Sequence, residues 1–241
     1  MNNILSNIRL PWLIFTLIIF AILVKLGLWQ SARAIEKEHR LNHIAQMSDQ
    51  KALSLTQVLA LPISDVNDLP IVLEGEFDNQ KQFFLDNQPN NGRLGYRVYQ
   101  VFSVNKQSLL INLGWVQGSI NRQELPQVPL INGYHKISGH LRIIEPGIML
   151  MEQKFEQNQW PLRVQQIELD KFSQVIGKEL LPFVVYLDKK DNLGYIKNWQ
   201  PIVMSPDKHW GYAFQWYSLA VAWVILMFWA SIKFSPKKDQ K

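Results

Sequence analysis

The chain contains no cysteine. That excludes disulfides, thiolate metal ligands and a cysteine nucleophile. Any portion held in an oxidising compartment must be stable through its core alone, and about 180 residues can bury enough surface for that. Phosphate-cradling loops of the GxGxxG or P-loop type are also missing, as is a G-x-S-x-G elbow. Without such a constellation a membrane-anchored hydrolase has no positive support, and the chain is expected not to be an enzyme. Glycine and proline are missing from Gln30 to Leu61, which removes the usual helix breakers there.

Charge is missing from two long runs. Leu10 to Val24 carries none and continues through Lys25 to Leu28; Gly211 to Ile232 carries none in 22 residues. At 1.5 Å per residue these runs reach about 28 Å and about 33 Å as helices. A hydrocarbon core is roughly 30 Å thick, so each run is long enough to cross it once.

The charges that remain are segregated. Net charge is +5, yet six of the 25 bases lie outside residues 30–210 (Arg9, Lys25, Lys233, Lys237, Lys238 and Lys241). Only one of the 20 acids, Asp239, accompanies them, so nineteen of each sign remain between and the middle is neutral. A high isoelectric point can signal nucleic acid, but bases flanking apolar spans follow the positive-inside pattern instead. The expected plan is a cytoplasmic N-terminus at 1–9, a transmembrane helix at 10–29 and an outer domain at 30–209. A second transmembrane helix at 210–232 and a basic cytoplasmic tail at 233–241 complete it. Ala32-Arg33-Ala34 resembles a signal-peptide cleavage site, but the first run exceeds the ~7–15 residues of such a segment. Nine residues before the first span are too few for a transit peptide, which favours a bacterial inner membrane and a periplasmic middle domain.

Within that domain, residues 30–60 read as a helical stalk and Pro62 to Pro70 as loop. From Ile71 the apolar period becomes two. IVLEGEFD and QFFLDN read as strands, with an Asn-Gly turn at Asn91-Gly92. YRVYQVFSV and SLLINLGW form a hairpin around Asn105-Lys106-Gln107, and HKISGHLRII and LPFVVYLD add strands. LDKFSQVIG reads as a short helix closed by Gly177. The fold expected is a membrane protein in which two terminal transmembrane helices flank an α+β domain rich in antiparallel strands, with the sheet at 71–188.

Several polar residues invite a chemical reading. His39 and His43 stand i, i+4 on the stalk, with Glu36 and Glu38 nearby. Two ligands alone rarely make a metal site, so a solvated helix face is the simpler account. His135 and His140 are five apart on a strand and point to opposite faces. Asp86 and Asn87 precede a turn with no partner acid set by spacing. Arg93 and Arg97 flank a strand start. Lys25, near the outer end of the first span, can snorkel to the headgroups.

His209 stands at the outer mouth of the second span, in SPDKHWGYAFQWYSLA. Tyr212, Ala213, Trp216 and Ala220 lie on or near its helix face. Such a column can hold a flat apolar cofactor with the imidazole as axial ligand to iron. It is equally the composition of an interfacial aromatic belt.

Taken together these segments resemble the surfeit locus protein 1 family, membrane factors for cytochrome c oxidase assembly. The first helix ends in KLGLWQSARAIEKE, similar to L-G-x-W-Q-x-x-R in the family, carried here by Leu26, Gly27, Trp29, Gln30 and Arg33. GEFDNQKQFFLDNQPNNGRLGYRV and LLINLGWV follow, similar to G-x-[FY]…D-N…G-x-x-G-Y and V-N-R-G-W-V. WQPIVMSPDKHWGYAFQWYSLA is similar to H-x-x-Y-A-x-Q-W-F. Leu113 stands where the family often has Arg, and Tyr217 where Phe is common. The resemblance covers nearly the whole chain. It implies help in building the haem-copper subunit, with haem a held at the outer membrane interface. It makes His209 the proposed axial ligand of the haem iron, and the helix face adds Tyr212 and Trp216 as cofactor-binding candidates. The implied partners are the catalytic subunit of the oxidase and haem a synthase. The competing expectation is a scaffold that stabilises an assembly intermediate by protein contacts, with His209 incidental. LGLWQ and HWGYAFQW, from opposite ends of the chain, are expected at one interface, with Trp29 and Trp210 at similar depth.

Overall fold

Helix-forming composition, with its one proline, Pro11, confined to the first turn, gives one long helix, α1, Leu10–Ser48. The computed structural model of the protein describes residues 10–48, 51–119, 121, 124–144 and 160–233. The expected cytoplasmic N-terminus and the tail beyond Lys233 lie outside those residues. At its 39 residues α1 is about 58 Å long, roughly twice a hydrocarbon core.

The helical stalk expected to residue 60 ends earlier. By Leu53 the chain is extended, donating to Pro70 O at 2.9 Å and accepting from Val72 N at 3.0 Å. A second helix, α2 (Leu55–Leu59), then starts at a capping box: Ser54 caps Gln57 N, and the Gln57 side chain returns to Ser54 N. The S-x-x-Q spacing at Ser54 marks this restart. Reading composition alone missed it.

The period-two stretch folds as β1 (Pro70–Asn90), β2 (Arg93–Val104), β3 (Gln107–Gln117), β4 (Tyr134–Arg142), β5 (Leu162–Val164) and β6 (Leu180–Leu187). Helix α3 (Leu169–Ile176) lies between β5 and β6 and closes at Gly177 as expected. IVLEGEFD and QFFLDN are one strand. Register slips between Phe77 and Gln82, where Asp78 accepts from Gln80 N and Gln100 Nε2, and the Asn79 side chain reaches Ile131 and Asn132. Asn91 and Gly92, both at positive φ, make the two-residue turn into β2.

Strands β1, β2 and β3 are successive hairpin partners, and β4 returns to lie beside β1, a Greek-key order. Strand β6 then pairs with both β3 and β4, and the β1–β2 pairing closes the ring. The domain is thus a five-stranded barrel with β5 added along β1. The sheet is mixed rather than wholly antiparallel, since β3–β6 and β1–β5 run parallel. Both parallel pairs join segments far apart in sequence, which local alternation cannot reveal.

Two apolar clusters hold the barrel. Its interior gathers Ile71, Leu73, Phe84, Val98, Phe102, Ile111, Leu113, Phe183 and Val185, under α2 residues Leu55 and Val58. Fully burying one such side chain contributes about 1.5–3 kcal/mol. On the outer face α3 and β5 cover Phe83, Leu110 and Val184, with Phe83 stacked on Phe172 at 4.0 Å. Leu113 is the extra residue of a β3 bulge: register passes from Val98–Gly114 to Tyr99–Asn112. Its side chain is fully buried, and its carbonyl accepts from Tyr195 N at 2.6 Å.

The chain divides into two compact units, Met1–His43 with Pro201–Lys241, and Ile44–Gln200. The second is the barrel. In the first, α1 is joined by the last helix, α4 (Pro206–Lys233).

Candidate cofactor site on the helix pair

Helix α4 begins where Ser205-Pro206 dictates. Proline sits at the first helical position, where its missing N–H costs nothing, and Ser205 O accepts from Lys208 N and His209 N. Past that turn the helix is uncharged until Lys233. Only 6% of the most apolar window of α1, and 11% of that of α4, is buried. A soluble core helix would be mostly covered. These two are long and apolar enough to cross a membrane.

The pair runs antiparallel. Near one end Trp223 Nε1 donates to Thr16 O at 3.1 Å, and the Trp223 ring meets Phe15 edge-on at 5.8 Å. Midway, Tyr217 lies over Gly27, and its hydroxyl is 3.4 Å from Ser31 Oγ. Near the other end His209 Nδ1 is 2.7 Å from Gln30 Oε1, and Trp210 Nε1 donates to Glu38 at 2.8 Å. The residues of the two end motifs therefore meet each other directly.

His209 is only 8% exposed. Ala213, Tyr217 and Ala220 continue its stripe by helical spacing, and Ala213 and Ala220 are buried. Trp216 is half-buried, whereas Tyr212 is 44% exposed. The predicted column is thus split: small residues line the buried stripe, and Tyr212 stands on an open flank. His209 Nε2 has no hydrogen-bond partner among the described residues, and it is not sealed inside the protein.

The other candidates take structural parts. His39, His43 and Lys25 are exposed. No group of three or more potential metal ligands is gathered among the described residues. His135 and His140 do face opposite ways. His135 bonds Asn132 O at 2.9 Å beside Phe77, and His140 pairs with Asp188 at 2.7 Å. Asp86 caps Asn87 N locally, and Arg93 bonds Gln117 across the hairpin. Arg97 leaves its buried Nε without a partner, opposite Trp115 in register. Near it, burial first, and then neighbouring Tyr186, push the Tyr99 hydroxyl well above its ordinary range, against the opposing effect of Arg97.

Sequence reasoning missed the partners of the aromatic column: Gln30, Ser31 and Glu38. The available signal was Gly27-x-x-x-Ser31 with Ala34, a stripe of small residues that lets a second helix approach closely.

Comparison with known families decides the grouping. The chain belongs to the SURF1 family. The family's model matches residues 17–221, a span that takes in most of both long helices and the whole barrel. No curated protein matches the chain. The SURF1 family is associated with cytochrome c oxidase assembly and is a family of assembly factors rather than of enzymes, which implies oxidase-related partners. Two long apolar terminal helices flanking a strand-rich sheet domain are the architecture that hydropathy and alternation led us to expect, with the parallel pairs the one addition.

Proposed function

We propose that this chain is a membrane-anchored assembly factor that binds haem a on its helix pair, with His209 as axial ligand, and helps insert it into the catalytic subunit of the oxidase. The observation that carries the reading is a nearly buried histidine, fixed through Nδ1, whose Nε2 has no partner among the described residues. That donor set suits an iron porphyrin, since imidazole nitrogen is a common haem ligand and a held second nitrogen is its usual companion. Trp216, about two turns along α4, and Tyr212 on the open flank supply apolar and aromatic surface for a flat ring. Held through His209 alone, haem a would remain releasable to an acceptor. Haem a synthase is the natural donor under this reading. In this scheme the helices cross a bacterial inner membrane, both termini are cytoplasmic and the barrel is periplasmic. Handing over an apolar cofactor beside lipid avoids exposing it to water.

The test is purification from cells that synthesise haem a, followed by an absorption spectrum. Wild type should carry haem, and His209→Ala should lose most of it. Equal haem in both, or none in either while oxidase assembly still depends on the protein, favours a scaffold working through protein contacts alone.

A further inference from the structure

The contact between His209 and Gln30 has a direction. The atom facing His209 Nδ1 is Gln30 Oε1, at 2.7 Å. A carbonyl oxygen only accepts, so with the Gln30 amide oriented this way the hydrogen belongs on Nδ1. In a neutral imidazole that leaves Nε2 with the lone pair. We propose that Gln30 is a positioning residue: its side-chain carbonyl holds His209 in the Nδ1–H tautomer and fixes the ring plane, so that Nε2 is presented as a ready ligand. The tautomer rests on geometry alone; its use as a metal ligand rests on the haem reading above.

The surroundings favour this role. Gln30 and His209 are 179 residues apart in sequence, so the bond exists only when the two helices are docked. The docking is set by Gly27 and Ser31 against Tyr217, and about two turns further along α1 by Trp210 on Glu38. His209 is only 8% exposed, so solvent replaces a lost acceptor poorly and the ring loses both its orientation and its tautomer preference. The helix pair thereby couples assembly of the hairpin to readiness of the ligand: separated helices carry an imidazole with no fixed tautomer.

Nitrogen-15 NMR of histidine-labelled, haem-free protein in lipid nanodiscs reads the tautomer directly at neutral pH. Wild type should show a protonated Nδ1 and a bare Nε2 at His209, identified by its absence in His209→Ala. Gln30→Glu keeps an acceptor and should keep that pattern. Gln30→Leu should lose it. A wild-type Nε2–H signal, or an unchanged signal in Gln30→Leu, would overturn the proposal without touching the haem reading. A haem titration adds the second arm. Affinity should fall about 10- to 100-fold in Gln30→Leu and be restored in Gln30→Glu. Loss of haem in His209→Ala with no change in Gln30→Leu would leave His209 as ligand and remove Gln30. Haem retained in His209→Ala would instead sink the ligand assignment, while the tautomer result stood.

Discussion

Gly27 of the first helix lies directly under the ring of Tyr217 of the last. A Cβ built at Gly27 would sit 2.5 Å from Tyr217 Cε1, well inside any permitted contact. The tyrosine hydroxyl meets Ser31 one turn further on, and Ser31 in turn donates to Gly27 O at 3.1 Å. Where Phe is common in the family, this chain gains a polar link between its helices. The absence of a side chain at Gly27 is what brings Gln30 within reach of His209.

Overpacking that spot should therefore loosen the pair. Gly27→Val is expected to destabilise the helix hairpin by about 1–3 kcal/mol, read from unfolding in detergent. Tyr217→Ala should relieve much of the clash, so the double variant is expected to be more stable than the two single effects summed. Strict additivity would show that the two residues do not meet.

Leu113 yields a prediction about the barrel. Its side chain is fully buried in the interior, on a bulge clasped by Tyr195. Restoring the arginine common in the family would bury a charge among Ile111, Val98 and Phe183. Leu113→Arg should cost about 3–5 kcal/mol, whereas Leu113→Met should cost under about 1.5. Chemical denaturation of the full chain separates these. A tolerated arginine would mean that the interior supplies it with a partner.

These residues also show what the sequence could and could not reveal. The long helices were legible because missing charge over some twenty residues has few other meanings. Alternation exposed β6 to within one residue at each end, β3 to within two, and β2 except for its first three residues. Barrel closure was hidden, because β3–β6 pairing joins Leu110 to Val184 with no local signature. Strand β5 was hidden by having only three residues. His209 was legible as a motif, but its bond to Gln30 was not. That bond depends on the antiparallel register of two helices, which spacing within either one does not fix.

The His140–Asp188 pair predicts an acid sensitivity of the barrel. Burial pushes the Asp188 carboxyl up, but the hydrogen bond and charge of His140, with Ser138 and Lys190, outweigh it and hold it below its ordinary 3.8. A carboxyl depressed in the folded state stabilises above its unfolded value, and that contribution is lost as pH falls through the folded value. The pair is partly exposed, so the effect is small, about 1 kcal/mol or less. Asp188→Asn should unfold more easily than wild type at pH 6, with the gap closing below pH 3.8. A gap that stays constant across that range would show that the carboxylate's charge contributes nothing.

The helix register, finally, predicts on which side the ends of the chain lie. Thr16 meets Trp223, and Gln30 meets His209, so the chain goes out along α1 and returns along α4. Leu10 and Lys233 then lie at the same end of the pair. If the pair crosses a bilayer, both termini share one compartment, and Lys233 with the lysines after it favours the cytoplasm. A reporter that works only in the cytoplasm should be active when fused after Lys241, and equally so ahead of Met1. One that needs export should be inactive at both positions and active when inserted in the exposed Asn91-Gly92 turn. Opposite behaviour at the two termini would mean that only one helix spans, and would remove the basis for placing His209 at a membrane interface.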